Sequence, residues 1–272
     1  MAFNDNSIMN LASRLNEAEK THAQIRQFSL EFPDITIEDA YAIQEEWVRR
    51  KIAEGRRPIG HKIGLTSRAM QRSSNITEPD YGVLLDDMLF QDGFDIPIER
   101  FIVPRVEVEL AFILKDRLSG PNCTIFDVLK ATDYIIPAIE IIDARIQQID
   151  PETKVTRKVF DTISDNAANA GLVMGGRPVR PNEVDLRWVA AILYRNGVVE
   201  ESGVAAAVLN NPVNGPAWLA NKLHPYSVSL EAREIILGGS FTAPVPARAG
   251  DTFHIDYGPL GSIACRFTGG QA

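Results

Sequence analysis

The sequence predicts an α+β protein in which N-terminal helices precede a mixed, largely antiparallel β-roll. Helical periodicity is concentrated before about residue 56, and strand-like runs separated by turn signals dominate after it. No regular βαβ alternation, GxGxxG loop or Walker loop interrupts that pattern. The expected organisation is a helical appendage over 1–56 and a β-rich domain over 57–272.

Residues 7 to about 30 read as an amphipathic helix, with Ile8, Leu11, Leu15, Ala18, Ile25 and Phe28 in an apolar stripe and a phase slip at Ala23. Phe32-Pro33-Asp34 breaks it. Thr36-Ile37-Glu38-Asp39 then has the composition of a capping box. It opens a second helix that buries Tyr41, Trp47, Val48 and Ile52 and stops at Gly55. Neither helix carries a catalytic signature, so they read as packing elements or as part of an oligomer contact.

Pro58 to Leu65 is strand-like, yet two glycines flank His61-Lys62, and glycine in a strand marks close approach of a ligand or backbone. Lys62 sits among apolar neighbours, where desolvation lowers an amine's pKa and makes it usable in proton transfer; a snorkelling surface lysine is the plainer reading. His61 points to the other face and reads as structural. Thr66-Ser67 can cap a short helix that carries Arg68 and Arg72 on one face. Glu78-Pro79-Asp80-Tyr81-Gly82 is a turn by composition, with Asp80 a turn-former or a positioned carboxylate.

Val103 to Phe112 alternates strictly, placing Val106, Val108, Leu110 and Phe112 on one strand face and Arg105, Glu107, Glu109 and Ala111 on the other. Carboxylates at i and i+2 lie about 6–7 Å apart at their Cα atoms, within joint reach of one small cation. The ordinary meaning of such a strand is a half-buried element with a solvated acidic face. Tyr134 to Asp143 changes that balance, because Glu140 interrupts a run that is apolar on both faces. A buried carboxylate must be protonated, paired or on a metal. Glu107, Glu109 and Glu140 thus form a candidate three-carboxylate site, and three hard oxygen ligands favour magnesium, or manganese in its place, over zinc or copper.

Thr124 to Ala131 reads as a short helix, 150–158 as a polar loop, and Val159 to Gly171 as a loop of small residues where the Ser164 hydroxyl approaches a ligand or closes a turn. Asn196-Gly197 is a strong hairpin signal. Pro212 to Leu223 reads as a helix. Ile235 to Leu237 runs into the glycine turn Gly238–Thr242, and Gly258-Pro259 joins a last hairpin.

Composition excludes several classes. A net charge of −8 on 272 residues argues against nucleic acid and against an anionic membrane surface. A small anionic substrate stays open if a metal or local cations offset the field. Cys123 and Cys265 form neither a disulfide framework nor a CxxC site. The first residues lack a secretory pattern, and no run approaches about 18 apolar residues, so a cytoplasmic location is expected.

Several motifs together resemble the hydratase/decarboxylase branch of the fumarylacetoacetate hydrolase superfamily. They are Gly60-His61-Lys62-Ile63-Gly64-Leu65-Thr66, Glu78-Pro79-Asp80-Tyr81-Gly82, Val106-Glu107-Val108-Glu109, Pro137-Ala138-Ile139-Glu140, and Asn211-Pro212 with Trp218-Leu219-Ala220-Asn221. The likeness runs from about residue 8 to the C-terminus. It implies a β-roll of the fumarylacetoacetate hydrolase type, magnesium on Glu107, Glu109 and Glu140, and Lys62 and Asp80 in the catalytic set. Ser164 and the turn containing Ser240 would lie near the substrate. The implied activity is hydration of an unsaturated seven-carbon 2-oxo diacid in aromatic catabolism, by a homo-oligomer. Hydration of a five-carbon monoacid, or decarboxylation of a related diacid, would reuse the same site. A distal carboxylate needs its own cation; Arg68, Arg72, Arg157 and Lys158 are candidates, with Arg68 ranked first for its nearness to Lys62. A metal-free hydrolase built on Ser164 with His224 or His254 lacks a GxSxG elbow.

Overall fold

The computed structural model describes residues 3–73 and 76–270. Helix α1 (Asp5–Thr21) starts under an Asn4 cap that accepts from the Ser7 N–H, and it ends at His22, which is left-handed. The helix expected to reach about residue 30 therefore stops at Thr21. Ile25 pairs with Ile146 as an isolated bridge, and only one further turn, α2 (Phe28–Glu31), follows. The phase slip at Ala23 was the trace of this break. In α3 (Ile37–Ala53) the Thr36/Asp39 capping box forms as its composition predicts. Trp47 and Val48 are buried there, while Ile52 faces outward.

The strands build two sheets. The larger contains β1 (Pro58–Gly64), β2 (Asp80–Leu85), β3 (Leu89–Gln91), β5 (Arg105–Leu114), β6 (Thr132–Ile142), β7 (Asn169–Met174), β10 (Ile235–Leu237) and β11 (Val245–Pro246). Its order is β2-β1-β10-β5-β6-β7-β3, with β11 also on β5. The smaller sheet runs β4-β13-β12-β8-β9, using β4 (Asp95–Pro97), β8 (Ala190–Arg195), β9 (Val198–Val204), β12 (Thr252–Asp256) and β13 (Ser262–Thr268). Among the named strands of the described residues, only the β1/β10, β3/β7 and β4/β13 pairings are parallel, so the mixed, largely antiparallel roll is as expected. Short helices α4 (Arg68–Ser73), α5 (Ile125–Ala131), α6 (Val159–Ser164) and α7 (Asn214–Leu223) fill the connections.

Two local expectations change. Asp80 opens strand β2 rather than sitting in a turn, because residues 80–85 pair along β1. The stretch from Val159 is not a loop: α6 forms under Asp161, which accepts from the Lys158 N–H, and β7 follows at Asn169. Its small residues pack against neighbours instead of lying open.

The alternation of β5 organises the interior. Val106, Val108, Leu110 and Phe112 pack with Phe253, Ile255, Ile263 and Phe267 of the second sheet in one core. Each such fully buried apolar side chain contributes roughly 1.5–3 kcal/mol. The opposite face of β5 turns into the curl of its own sheet, where Ala111, Ala138, Leu172 and Leu237 make a smaller cluster. The N-terminal helices share a core with Leu85, Met88 and Ile146. The parity that buries the valines therefore commits Glu107 and Glu109 to the inside of the larger sheet.

Candidate active site

Strand register assembles the carboxylates. Glu107 stands directly opposite Glu140 in the β5/β6 ladder, and Glu109 lies two residues further along the same face. Oxygens of all three approach within 4.8 Å of one another. Glu140 and Glu109 are buried and Glu107 is half-buried. Unscreened by a cation, two carboxylates at that separation repel by roughly 3–4 kcal/mol at an effective dielectric near 20.

The protein supplies few donors to these oxygens. Gly239 N–H donates to Glu109 Oε2 at 2.8 Å. Glu109 Oε1 and both Glu140 oxygens have no hydrogen-bond partner among the described residues. Burial and the neighbouring Glu140 charge push Glu107 up to about 7, against the pull of Lys62. Glu109 is raised for the same reasons. Unsatisfied, converging, acceptor-only groups are the donor set of a hard divalent cation, so the three glutamates fit magnesium or manganese.

Lys62 and Asp80 reach the same place from β1 and β2. Across that ladder Lys62 faces Gly82 and Asp80 faces Gly64. Each long side chain is thus opposed by a glycine. A Cβ on Gly64 would lie 2.2 Å from Asp80 Oδ1 and 3.2 Å from Lys62 Nζ. Lys62 Nζ donates to Ala167 O at 3.1 Å and stands 3.2 Å from Glu140 Oε1. Burial opposes its charge, but Glu140, Asp80, Glu107 and Glu109 outweigh that penalty and raise its pKa. The lowering expected from apolar neighbours alone is overturned by this acidic surround. Asp80 is buried, neither of its oxygens has a hydrogen-bond partner among the described residues, and its pKa is raised, chiefly by burial.

The carbonyl that receives Lys62 belongs to an unusual turn. Asn166, Ala167 and Ala168 are all left-handed, with φ of 52°, 51° and 57°. Such residues cost roughly 1–2 kcal/mol each unless surroundings impose them. Asn166 imposes them by bonding both backbone groups of Val83, accepting from its N–H at 2.8 Å and donating to its carbonyl at 3.0 Å. Behind the turn, Asp165 pairs with the buried Arg145.

A cavity of about 790 Å³ opens over these groups, with Lys62, Asp80, Glu107 and Glu109 in its wall. Ser240 lines it too, its hydroxyl bonded to the Thr242 backbone. Ser164 does not: it is fully buried at the end of α6, and its hydroxyl finds no partner among the described residues. Arg68 is exposed on α4 and also lies outside the cavity wall, as does Arg72. Sequence reasoning missed Ala167, whose role lies in a carbonyl and a left-handed backbone that an alanine does not advertise. It also missed what Gly64 makes room for, although the glycines flanking His61-Lys62 marked the spot.

A curled mixed sheet enclosing three carboxylates, with a lysine and an aspartate beside them, defines a metal-dependent protein of the fumarylacetoacetate hydrolase fold. No family model matches the chain. A fumarylacetoacetate hydrolase family protein from Yersinia pestis shares the fold, with a TM-score of 0.56 at 17% identity over 77% of this chain and 94% of that one. Much nearer is the 4-oxalocrotonate decarboxylase of Pseudomonas putida G7, solved with magnesium and adipate: TM-score 0.92 and 35% identity over 98% of this chain and 99% of that one. The chain is 71% identical over 257 residues to the 2-oxo-hept-4-ene-1,7-dioate hydratase of Escherichia coli, covering 94% of this chain and 96% of that protein. It belongs to the hydratase/decarboxylase branch of the fumarylacetoacetate hydrolase superfamily.

Proposed function

We propose that this protein is a magnesium-dependent hydro-lyase that adds water to 2-oxo-hept-4-ene-1,7-dioate, giving 4-hydroxy-2-oxoheptane-1,7-dioate in aromatic catabolism. The 71% identity to a hydratase of that substrate carries the choice of reaction. The convergence of Glu107, Glu109 and Glu140 with Lys62 and Asp80 supports the chemistry.

Glu107, Glu109 and Glu140 would hold the cation through their converging carboxylate oxygens. When bound, it supplies a Lewis acid and a template for the substrate's 1-carboxylate and 2-oxo groups. Lys62 and Asp80 carry the protons. Removing one from carbon 3 and returning one to carbon 5 brings the double bond into conjugation with the ketone, and water then adds at carbon 4. Asp80 suits this work because burial raises its carboxyl above the ordinary aspartate range and leaves its oxygens free of partners among the described residues. Lys62 is held over the site by Ala167 O and Glu140. Ser240 stands in the cavity wall where it can meet substrate, whereas Ser164 is buried outside that wall.

We further place the protein in the cytoplasm as a homo-oligomer. Two free, buried thiols suit a reducing compartment. Phe126 and Trp188, each 74% exposed, are large apolar groups that a second copy would cover. No helix among the described residues is long and apolar enough to cross a membrane.

The deciding assay supplies purified protein and magnesium with the diacid, with 4-oxalocrotonate and with 2-hydroxypenta-2,4-dienoate, and follows products by NMR. Hydrated diacid is the expected product. Carbon dioxide without a hydrated product would replace the hydratase reading with the decarboxylase one.

A further inference from the structure

One cation in the cavity wall has a buried N–H group with no partner among the described residues. Arg157 lines the same cavity as Lys62, Asp80, Glu107 and Glu109. Its Nη1 is buried and has no hydrogen-bond partner among the described residues. The acidic groups whose fields reach it are Asp165, Asp161 and Asp80. Asp165 is taken by Arg145 and the backbone N–H groups of Arg145 and Ile146. Asp161 accepts from Ser29 N–H, Ser29 Oγ and Lys158 N–H. Asp80 makes no hydrogen bond to Arg157 or to any other described residue. Arg157 thus shares an acidic neighbourhood without belonging to any pair in it.

A guanidinium N–H removed from water and left without an acceptor costs free energy that an incoming anion recovers. The other cations in the wall are differently placed. Lys62 is engaged with Ala167 and Glu140, whereas Arg105 and Lys158 are exposed to solvent. A seven-carbon chain spans about 7–8 Å between its terminal carbons, a length that a cavity of about 790 Å³ accommodates beside the carboxylate cluster.

Resting on the hydratase reading above, we propose that Arg157 receives the substrate carboxylate remote from the 2-oxo group, and so makes the site prefer diacids to monoacids. Its planar fork matches a carboxylate in a two-bond contact that lysine cannot reproduce.

The test compares Arg157→Met with wild type on the diacid and on the monoacid 2-hydroxypenta-2,4-dienoate, magnesium present. The expected result is a fall of about 100-fold in kcat/KM for the diacid, mainly through KM, with the monoacid changed less than about 3-fold. Arg157→Lys should fall between. In parallel, calorimetric titration with heptanedioate and with hexanoate should show tighter binding of the dianion by wild type, and loss of that preference in the variant. Equal losses on both substrates would make Arg157 a structural residue and overturn the proposal, as would an undiminished diacid rate. If Arg157→Met does not fold, Arg157→Gln carries the same comparison. Should wild type hydrate neither substrate, the hydratase reading fails, and the heptanedioate–hexanoate difference still decides for or against Arg157.

Discussion

Glu107 and Glu140 face each other directly across the β5/β6 ladder, in a register where like charges are ordinarily selected against. The pairing is unfavourable for the fold unless something positive lies between the two. Replacing one partner separates metal binding from folding. Glu140→Gln should leave the circular dichroism spectrum of the protein intact. It should also abolish the magnesium-induced rise in Tm and lower turnover at least about 100-fold. Undiminished turnover would remove Glu140 from the metal site.

The same repulsion makes metal stabilisation depend on pH. Glu107 moves from the ordinary glutamate value near 4.5 up to about 7 in the metal-free fold, and Glu109 moves in the same direction. Between those values the folded chain holds more protons than the unfolded one, so metal-free stability falls as pH rises through that window. Cation binding needs the deprotonated carboxylates, so its stabilising effect grows over the same range. Thermal melts with and without magnesium should differ more at pH 8 than at pH 5.5. A constant difference would contradict the assignment.

Gly64 is required here by geometry, as the gap into which Asp80 fits. A Cβ 2.2 Å from Asp80 Oδ1 must displace that carboxylate. Gly64→Ala is expected to keep magnesium binding and lose about 100-fold in kcat, since small displacements of a reacting group cost that much. Calorimetric metal titration alongside steady-state kinetics checks both halves.

Lys62→Met and Asp80→Asn should each reduce kcat by about 10²–10⁴-fold, the range for loss of a positioned acid or base. Both should still bind magnesium, in contrast to Glu140→Gln. A variant that loses metal and turnover together would move its residue from proton transfer to the ligand set.

Asn166→Ala removes two hydrogen bonds to Val83 and with them the restraint on three left-handed residues. The expected cost is about 2–3 kcal/mol of stability, read by urea denaturation, with kcat lowered as the Ala167 carbonyl leaves Lys62. Unchanged stability would show that the turn is held by other contacts.

Much of this protein was legible before its structure because the rules involved are local. Period-two alternation in Val103–Phe112 placed Glu107 and Glu109 on one face, and the apolar run around Glu140 predicted its burial. The capping-box composition at Thr36 marked one helix start, and the short helix read over Thr124 to Ala131 forms from Ile125 under a Thr124 cap. The helix expected to reach residue 30 failed where periodicity was already broken. The stretch from Val159 was misread because small residues suit tight packing as well as open loops.

By itself the sequence determined which side chains share a strand face, where helices begin, and that three carboxylates needed a common explanation. Tertiary structure alone decided that Glu107 opposes Glu140, that Asp80 lies in the space left by Gly64, and that Lys62 bonds a carbonyl 105 residues away. It also put Arg157 in the cavity wall and left Arg68 on the surface. The physical reason is range. Face parity and capping act within a few residues, whereas register and the choice of cation follow from pairing distant strands, which no local pattern encodes.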